Sequence, residues 1–372
     1  MTPEPAPAQA FAHTGKFTNV AGLAFKNAAL TIVTLTLYRF WARTSMRRRI
    51  WSHAWVMGDP FEYTGTAWEL FRGFLISLVF FFIPATFVLY IAPLVMEPTS
   101  AGWLTFGFYV VLVPLFAAAR YWMRRYQLSR TRWRGIRLGL AGSGWSFAAA
   151  SWGWWVLQQL SLGWYTPVAR INRARLMWNN TRFGDQPFEF VDDGRSPTYG
   201  LWLPFALGWC GFAISFFISF LIAGFVIALL SQYGIFSPTD ESGAANQWAP
   251  FVMGIIIILS AVVLAYSFWA PYRAAAMNRI ASLISLDGAR FKLRVKTIPF
   301  LLIQLAGWVM IIFSLGLLAP LAGYMQVRYI TNRLQIIGTP RFADINQPVI
   351  ASPGAGESLA DAFDLDLGVG LI

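Results

Sequence analysis

Arginine and tryptophan interleave along two stretches of this chain at spacings that suit the phosphates of a membrane surface, and arginine recurs at the matching place in a third. The first stretch holds Arg43, Arg47 and Arg48 with Trp41 and Trp51. The second holds Arg170, Arg173 and Arg175 with Trp164 and Trp178, and Arg328 takes the equivalent place in the third. All but four of the 29 basic residues are arginine. A guanidinium grips phosphate oxygens in pairs and is less strongly hydrated than an ammonium, and tryptophan settles at headgroup level. These residues are therefore candidates for binding anionic headgroups, with the four tryptophans as interfacial aromatics. Equally open is the reading in which they only anchor the fold and set its topology.

Other chemistry is excluded by what is missing. One cysteine, Cys210, and two histidines, His13 and His53, supply neither a disulfide framework nor the three or four ligands of a zinc or haem site, so no metal and no cofactor is expected. Glu62 and Glu189 are equivalent carboxylates near arginines, read as salt-bridge partners rather than a catalytic acid and base. The glycine-rich run from Gly139 lacks the Lys-Ser/Thr ending of a phosphate loop. No nucleophile triad is visible, so no catalytic residue and no enzyme is expected. The net charge of +12 is accounted for by membrane orientation, and no nucleic-acid recognition module is present. Nothing in the sequence fixes an oligomeric state.

The elements that position these residues are membrane helices. Hydrophobic residues make up 57% and charged residues 12%, too little polar surface for a dissolved chain. Charge-free gaps predict four spanning helices, at residues 73–93, 103–119, 201–230 and 251–269, each near the roughly 20 residues a bilayer requires. Three more apolar segments, 20–38, 138–169 and 297–327, either span or re-enter. Basic residues flank the latter two on both sides, which argues for re-entry from one face, while an ordinary crossing would break the charge rule. The loops at 94–102 and 231–250 carry no Lys or Arg and read as external; the basic clusters and the C-terminal tail read as cytoplasmic.

Internal repetition organises the chain. Arg43 aligns with Arg170, Trp51 with Trp178, and Phe61-Glu62-Tyr63 with Phe188-Glu189-Phe190, without a gap; a third copy pairs Arg175 with Arg328 and Asn179 with Asn332. The expected organisation is a tail at 1–14, one membrane domain at 15–342 (repeats at 17–133 and 134–289, and a truncated one at 290–342), and a flexible acidic tail at 343–372. The expected fold class is an all-α polytopic membrane protein with short cytoplasmic strands, whose Phe faces from successive repeats bury together.

The runs LTLYRFWARTSMRRRIWSHAWVMGDPFEYTGTAWELFRGFL and LSLGWYTPVARINRARLMWNNTRFGDQPFEF resemble the signature of the bacterial YjgN family, and the closing GESLADAFDLDL is similar to that family's tail. The resemblance covers most of the chain. It implies a multi-pass inner-membrane protein of Gram-negative bacteria, and brings no catalytic residue with it. The first repeat departs from the pattern, reading Thr36-Leu37 where relatives have Leu-Gly, so its turn lacks the expected glycine. The functional expectation is a lipid-interacting or structural role with membrane lipids, anionic ones included, as partners. The alternative is a passive channel or transporter for a small or lipid-like solute.

Overall fold

The structure is a computed structural model that describes residues 10–233, 249–338 and 345. Four dipeptides set the sheet. Met57-Gly58, Arg134-Gly135 and Asp287-Gly288 hold positive φ at both residues, and Gly184 holds it before Asp185. The first three have the backbone of the tight hairpin turn whose twist matches that of its strands. They join β2 (Ala54–Val56) to β3 (Asp59–Tyr63), β4 (Thr131–Trp133) to β5 (Ile136–Leu140) and β8 (Ile284–Leu286) to β9 (Ala289–Leu293); Gly184 joins β6 (Thr181–Phe183) to β7 (Gln186–Phe190). With β1 (Phe11–His13) and β10 (Leu334–Ile337), the described residues form one antiparallel sheet of ten strands in sequence order.

Each remaining link in the sheet is a helical hairpin whose two ends lie on adjacent, hydrogen-bonded strands. Between β1 and β2 run α1 (Phe17–Val33) and α2 (Arg39–Trp51). Between β3 and β4 run α3 (Ala67–Val95) and α4 (Pro98–Ser129), and between β5 and β6 run α5 (Gly144–Leu160) and α6 (Thr166–Asn179). Between β7 and β8 come α7 (Trp202–Gln232), α8 (Ala249–Phe268) and α9 (Ala270–Ser282), and between β9 and β10 α10 (Thr297–Phe313) and α11 (Ala319–Thr331). The chain is thus five units of strand, outgoing helix, returning helix and strand. The all-α expectation is corrected accordingly: the fold is mostly helical, but its organising element is the sheet. β1 forms within the stretch expected as an N-terminal tail, while most of the expected acidic tail at 343–372 and of the loop at 231–250 lies outside the described residues.

Four helices are long and apolar enough to cross a bilayer: α3, α4, α7 and the run Phe251–Ser282 that joins α8 to α9. Their outward faces carry Phe80, Trp103, Phe217 and Phe225, all exposed, as lipid-facing side chains are. The segments 20–38, 138–169 and 297–327 each lie within a hairpin that begins and ends at the sheet. β5 and β6 are paired, Leu140 opposite Thr181, so the chain between them leaves the sheet and comes back to it; β1 with β2 and β9 with β10 enclose the other two in the same way.

The tips of these short hairpins are apolar and exposed. Leu35, Leu162 and Leu315 are 85%, 77% and 93% exposed, a poor arrangement in water and a good one among acyl chains. Backbone that is not helical must satisfy itself at that depth. In all three tips it does: Thr36, Gly163 and Gly316 donate their N–H groups to the carbonyls of Thr31, Gln158 and Ile311, each at 2.7 Å. Thr34, Ser161 and Ser314 then accept from the N–H of Tyr38, Tyr165 and Leu318 and so start the returning helix. The glycine-lacking first tip is therefore formed, at Leu35-Thr36 rather than Thr36-Leu37, with Thr36 at φ 73° where the other tips have Gly163 at 87° and Gly316 at 88°. A β-branched residue in that region is strained by about 1–2 kcal/mol. Thr36→Gly is expected to raise the protein's unfolding midpoint, with a net gain of about 1 kcal/mol once glycine's larger unfolded-state entropy is counted. A calorimetric melt showing a lower midpoint would contradict this.

The two edges of the sheet are brought together. Asn179, which ends α6, accepts from the N–H of Phe190 in the next unit at 2.8 Å, and Asn332, just after α11, accepts from the N–H of His13 in the first unit at 2.7 Å. Phe190 and His13 hold the same register position, opposite Ile284 and Ala54. The last unit therefore grips the first as the third grips the fourth. Tyr324 repeats the theme, donating to Gly15 O at 2.8 Å as Tyr121 donates to Ala141 O. The five units close into a ring.

Candidate functional site

Because side chains alternate across a strand, strand pairing fixes which residues face the ring axis. One layer is Phe11, Phe61, Leu138, Phe188 and Phe291. Their pairing partners Val56, Trp133, Phe183, Leu286 and Ile336 form the second. Two residues earlier come Ala54, Thr131, Thr181, Ile284 and Leu334, and three residues before those, on the ends of the returning helices, Trp51, Leu128, Trp178, Ala281 and Thr331. Every one of these side chains lines a single cavity of about 270 Å³. Aromatic contacts knit its wall: Phe11 to Phe291 at 6.4 Å, Phe188 to Phe291 at 6.1 Å, Trp133 to Phe183 at 5.6 Å and Trp178 to Phe188 at 5.3 Å between ring centroids. Eight strands enclose a space that side chains just fill, and ten leave room over.

Counting back along the returning helices from the Trp51 layer, residues four and eight earlier share its face. The latter are Arg43, Arg120, Arg170 and Arg273, with Gly323 in the fifth unit. These form a cationic collar two helical turns from the cavity. Arg120 lies beside Arg170 and Arg173, and Arg170 beside Arg273, close enough to repel one another. Their partners are neutral. Arg170 stacks on the Tyr272 ring at 5.5 Å, Arg173 donates to Gln158 Oε1 at 3.2 Å, and Arg273 lies 3.5 Å over the Tyr266 ring and donates to the buried Gln304. Burial, then the neighbouring Arg120, depress the Arg173 pKa; burial is also the main cause at Arg170. Among the described residues no carboxylate pairs with Arg120, Arg170, Arg173 or Arg273, whereas Arg130–Glu69 at 2.8 Å, Arg134–Asp59 at 2.6 Å and Arg279–Asp193 at 2.5 Å are ordinary ion pairs elsewhere. Four guanidiniums gathered without a carboxylate present charged donors of the kind an anion accepts from.

Residues 8–362 match the model of a family described as bacterial protein of unknown function, DUF898. The chain belongs to that family. It is also 27% identical over 131 residues to the inner membrane protein YjgN of Salmonella typhimurium, a match covering 34% of this chain and 31% of the relative. No solved structure matches the chain.

In this DUF898 protein the arginines singled out from the sequence divide into two groups. Arg170 and Arg173 belong to the collar and Arg43 holds its first-unit position. Arg47 donates to Tyr63 Oη at 3.3 Å and Arg48 to Gly65 O at 2.9 Å, fixing the entry of the second unit; Arg175 stacks on Phe190 at 5.5 Å, and Arg328 sits beside Tyr324 and His13. Trp51 and Trp178 turn into the cavity, and the Trp51 indole donates to Thr131 Oγ1 at 3.1 Å. Trp41 stays partly exposed against Tyr38, while Trp164 packs in its hairpin tip on Phe205 and Trp209. Glu62 and Glu189 point outward from the sheet and make no ion pair among the described residues, a correction to their reading as salt-bridge partners; Glu62 lies across from Arg132, and Glu189 from Ser285. Sequence reasoning missed Arg120 and Arg273 as site residues. The signal was present, eleven residues ahead of Thr131 and Ile284, but it needs the five-unit register that only the strand pairing reveals.

His13 sits at the seam of the ring. It is buried, its Nδ1 accepts from the Gly15 N–H at 3.3 Å, and its ring meets Tyr324 edge-on at 5.2 Å and stacks near His53 at 6.4 Å. Burial, with His53 and Arg328 beside it, lowers its pKa from 6.5 to about 4. The unfolded chain therefore takes up the proton first. The stabilisation is complete above pH 6.5 and is lost as pH falls from 6.5 towards 4, amounting to at most about 3 kcal/mol. Unfolding midpoints measured across that window are expected to drop steeply in the native chain and to flatten in His13→Phe; equal slopes would refute the assignment.

Proposed function

We propose that this protein binds anionic lipid at the inner membrane, its collar holding headgroup phosphate. The observation that carries this reading is the cluster of Arg120, Arg170, Arg173 and Arg273 with tyrosine and glutamine for partners and no carboxylate among the described residues. Guanidinium supplies paired donors for phosphate, and a returning-helix position next to a lipid-dipping tip brings that donor within reach of the leaflet. In this reading the role is one of binding rather than catalysis, and the sheet and collar face the cytoplasm, an orientation that the bias of Lys and Arg supports. Neutralising Arg170 and Arg173 to glutamine is expected to reduce co-purified anionic phospholipid about tenfold, the equivalent of one charged hydrogen-bonding pair. Unchanged retention in a folded variant would end the proposal.

A second reading, a passive path for a small or lipid-like solute, draws on the ring itself, since five units around one axis enclose a cavity. Solute flux into liposomes that depends on residues of the cavity wall would favour it.

A further inference from the structure

Building on the headgroup reading, we infer that the barrel cavity is a binding site for one aliphatic chain of an anionic amphiphile, with the acidic head at the collar and the chain along the ring axis. The cavity, about 270 Å³, exceeds the roughly 150 Å³ apolar void that stays dry and takes up benzene. Polarity is graded along the axis in the order an amphiphile requires. The collar is cationic; the rim below it carries Arg124, Gln127 and the hydroxyls of Thr131, Thr181 and Thr331; the two layers nearest the hairpin turns are wholly apolar. Arg124 joins the two regions. Its guanidinium lines the cavity 5.2 Å over the Trp178 ring, and it follows Arg120 by four residues on one helix, a rise of about 6 Å. Ala54 and Ala281, both buried, are the small members of their layers and leave the space open. An apolar void of this size forfeits dispersion contacts that a methylene chain would restore.

A free acid with one chain and a membrane phospholipid share this chemistry, so the probes must separate head from chain. The full-length protein in phosphatidylcholine nanodiscs would be irradiated with dodecyl phosphate or dodecanol carrying a terminal diazirine, and the adducts mapped by mass spectrometry. The expected result is labelling of Phe183, Phe188 or Leu286 by the phosphate probe, competed by unlabelled dodecyl phosphate but not by inorganic phosphate. Ala281→Phe should cut those adducts about tenfold, while labelling of lipid-facing outward residues by the dodecanol probe stays as in the native chain. Arg170→Gln with Arg173→Gln should cut labelling by the phosphate probe and not by the alcohol. Adducts confined to outward residues such as Leu203 and Phe217 would overturn the chain site even if the headgroup reading survives, and mapping on the native chain decides this should Ala281→Phe not fold. Equal barrel labelling by both probes, insensitive to the arginine changes, would overturn the acidic head instead.

Discussion

Single cysteines introduced at Glu62, Arg182 and Arg290, in a Cys210→Ser background, will all react with a membrane-impermeant maleimide from one side of the membrane, and a cysteine at Ser100 from the other. The four positions are exposed. The first three lie on the outer face of one hydrogen-bonded sheet, on β3, β6 and β9, and so share a compartment. Ser100 lies near the start of α4, beyond the turn that follows α3, a helix long and apolar enough to cross the bilayer. The expected contrast is close to all or none, because a maleimide that cannot cross lipid reaches one set or the other. Under the proposed orientation, with Lys and Arg kept to the inside, the sheet positions are expected to react from the cytoplasmic side. Reaction of Arg182 variants from the side opposite to Glu62 variants would show that residues 138–169 cross the bilayer, and would break the ring. Native Cys210 must be removed because it is exposed on α7 rather than packed inside.

Leucine at Gly211 will destabilise the long α7–α8 hairpin by about 1–3 kcal/mol or more, the usual range for forcing bulk into a packed contact. A Cβ at Gly211 would overlap the ring of Phe268, and one at Gly208 would press on Trp269 at 3.1 Å. In lipid, helices are held by close packing of small residues rather than by hydrophobic exclusion, so no compensating burial is gained by moving apart. Gly224 is the internal control. It lies on the same helix with nothing within 4 Å of the place a Cβ would take, and leucine there should leave stability unchanged or higher. Unfolding in mixed micelles would test the pair; equal midpoints for the two variants would show that the Gly211 contact does not hold the hairpin.

The spanning helices were legible because lipid tolerates no unpaired charge, and the gaps between charged residues mark them directly. The return of the short segments to the sheet was half legible. Basic flanks on both sides argued for it, but charge is a bias, whereas the pairing of Leu140 with Thr181 is a geometric requirement. The tips were visible as Ser-Leu-Gly in two copies, and the first escaped because threonine occupies the left-handed position that glycine holds in the others.

By itself the sequence determined the solvent, the four long apolar helices, the aromatic strands and the gathering of arginine beside them, since each follows from local composition and from the transfer of side chains into lipid. Only the tertiary structure decided that ten short strands form one sheet, that the last unit grips the first, and that Arg120 and Arg273 join Arg170 around one axis above a cavity. The physical reason is range. Hydropathy acts within a segment, whereas strand register and ring closure depend on hydrogen bonds between residues as far apart as His13 and Asn332, which no local pattern encodes.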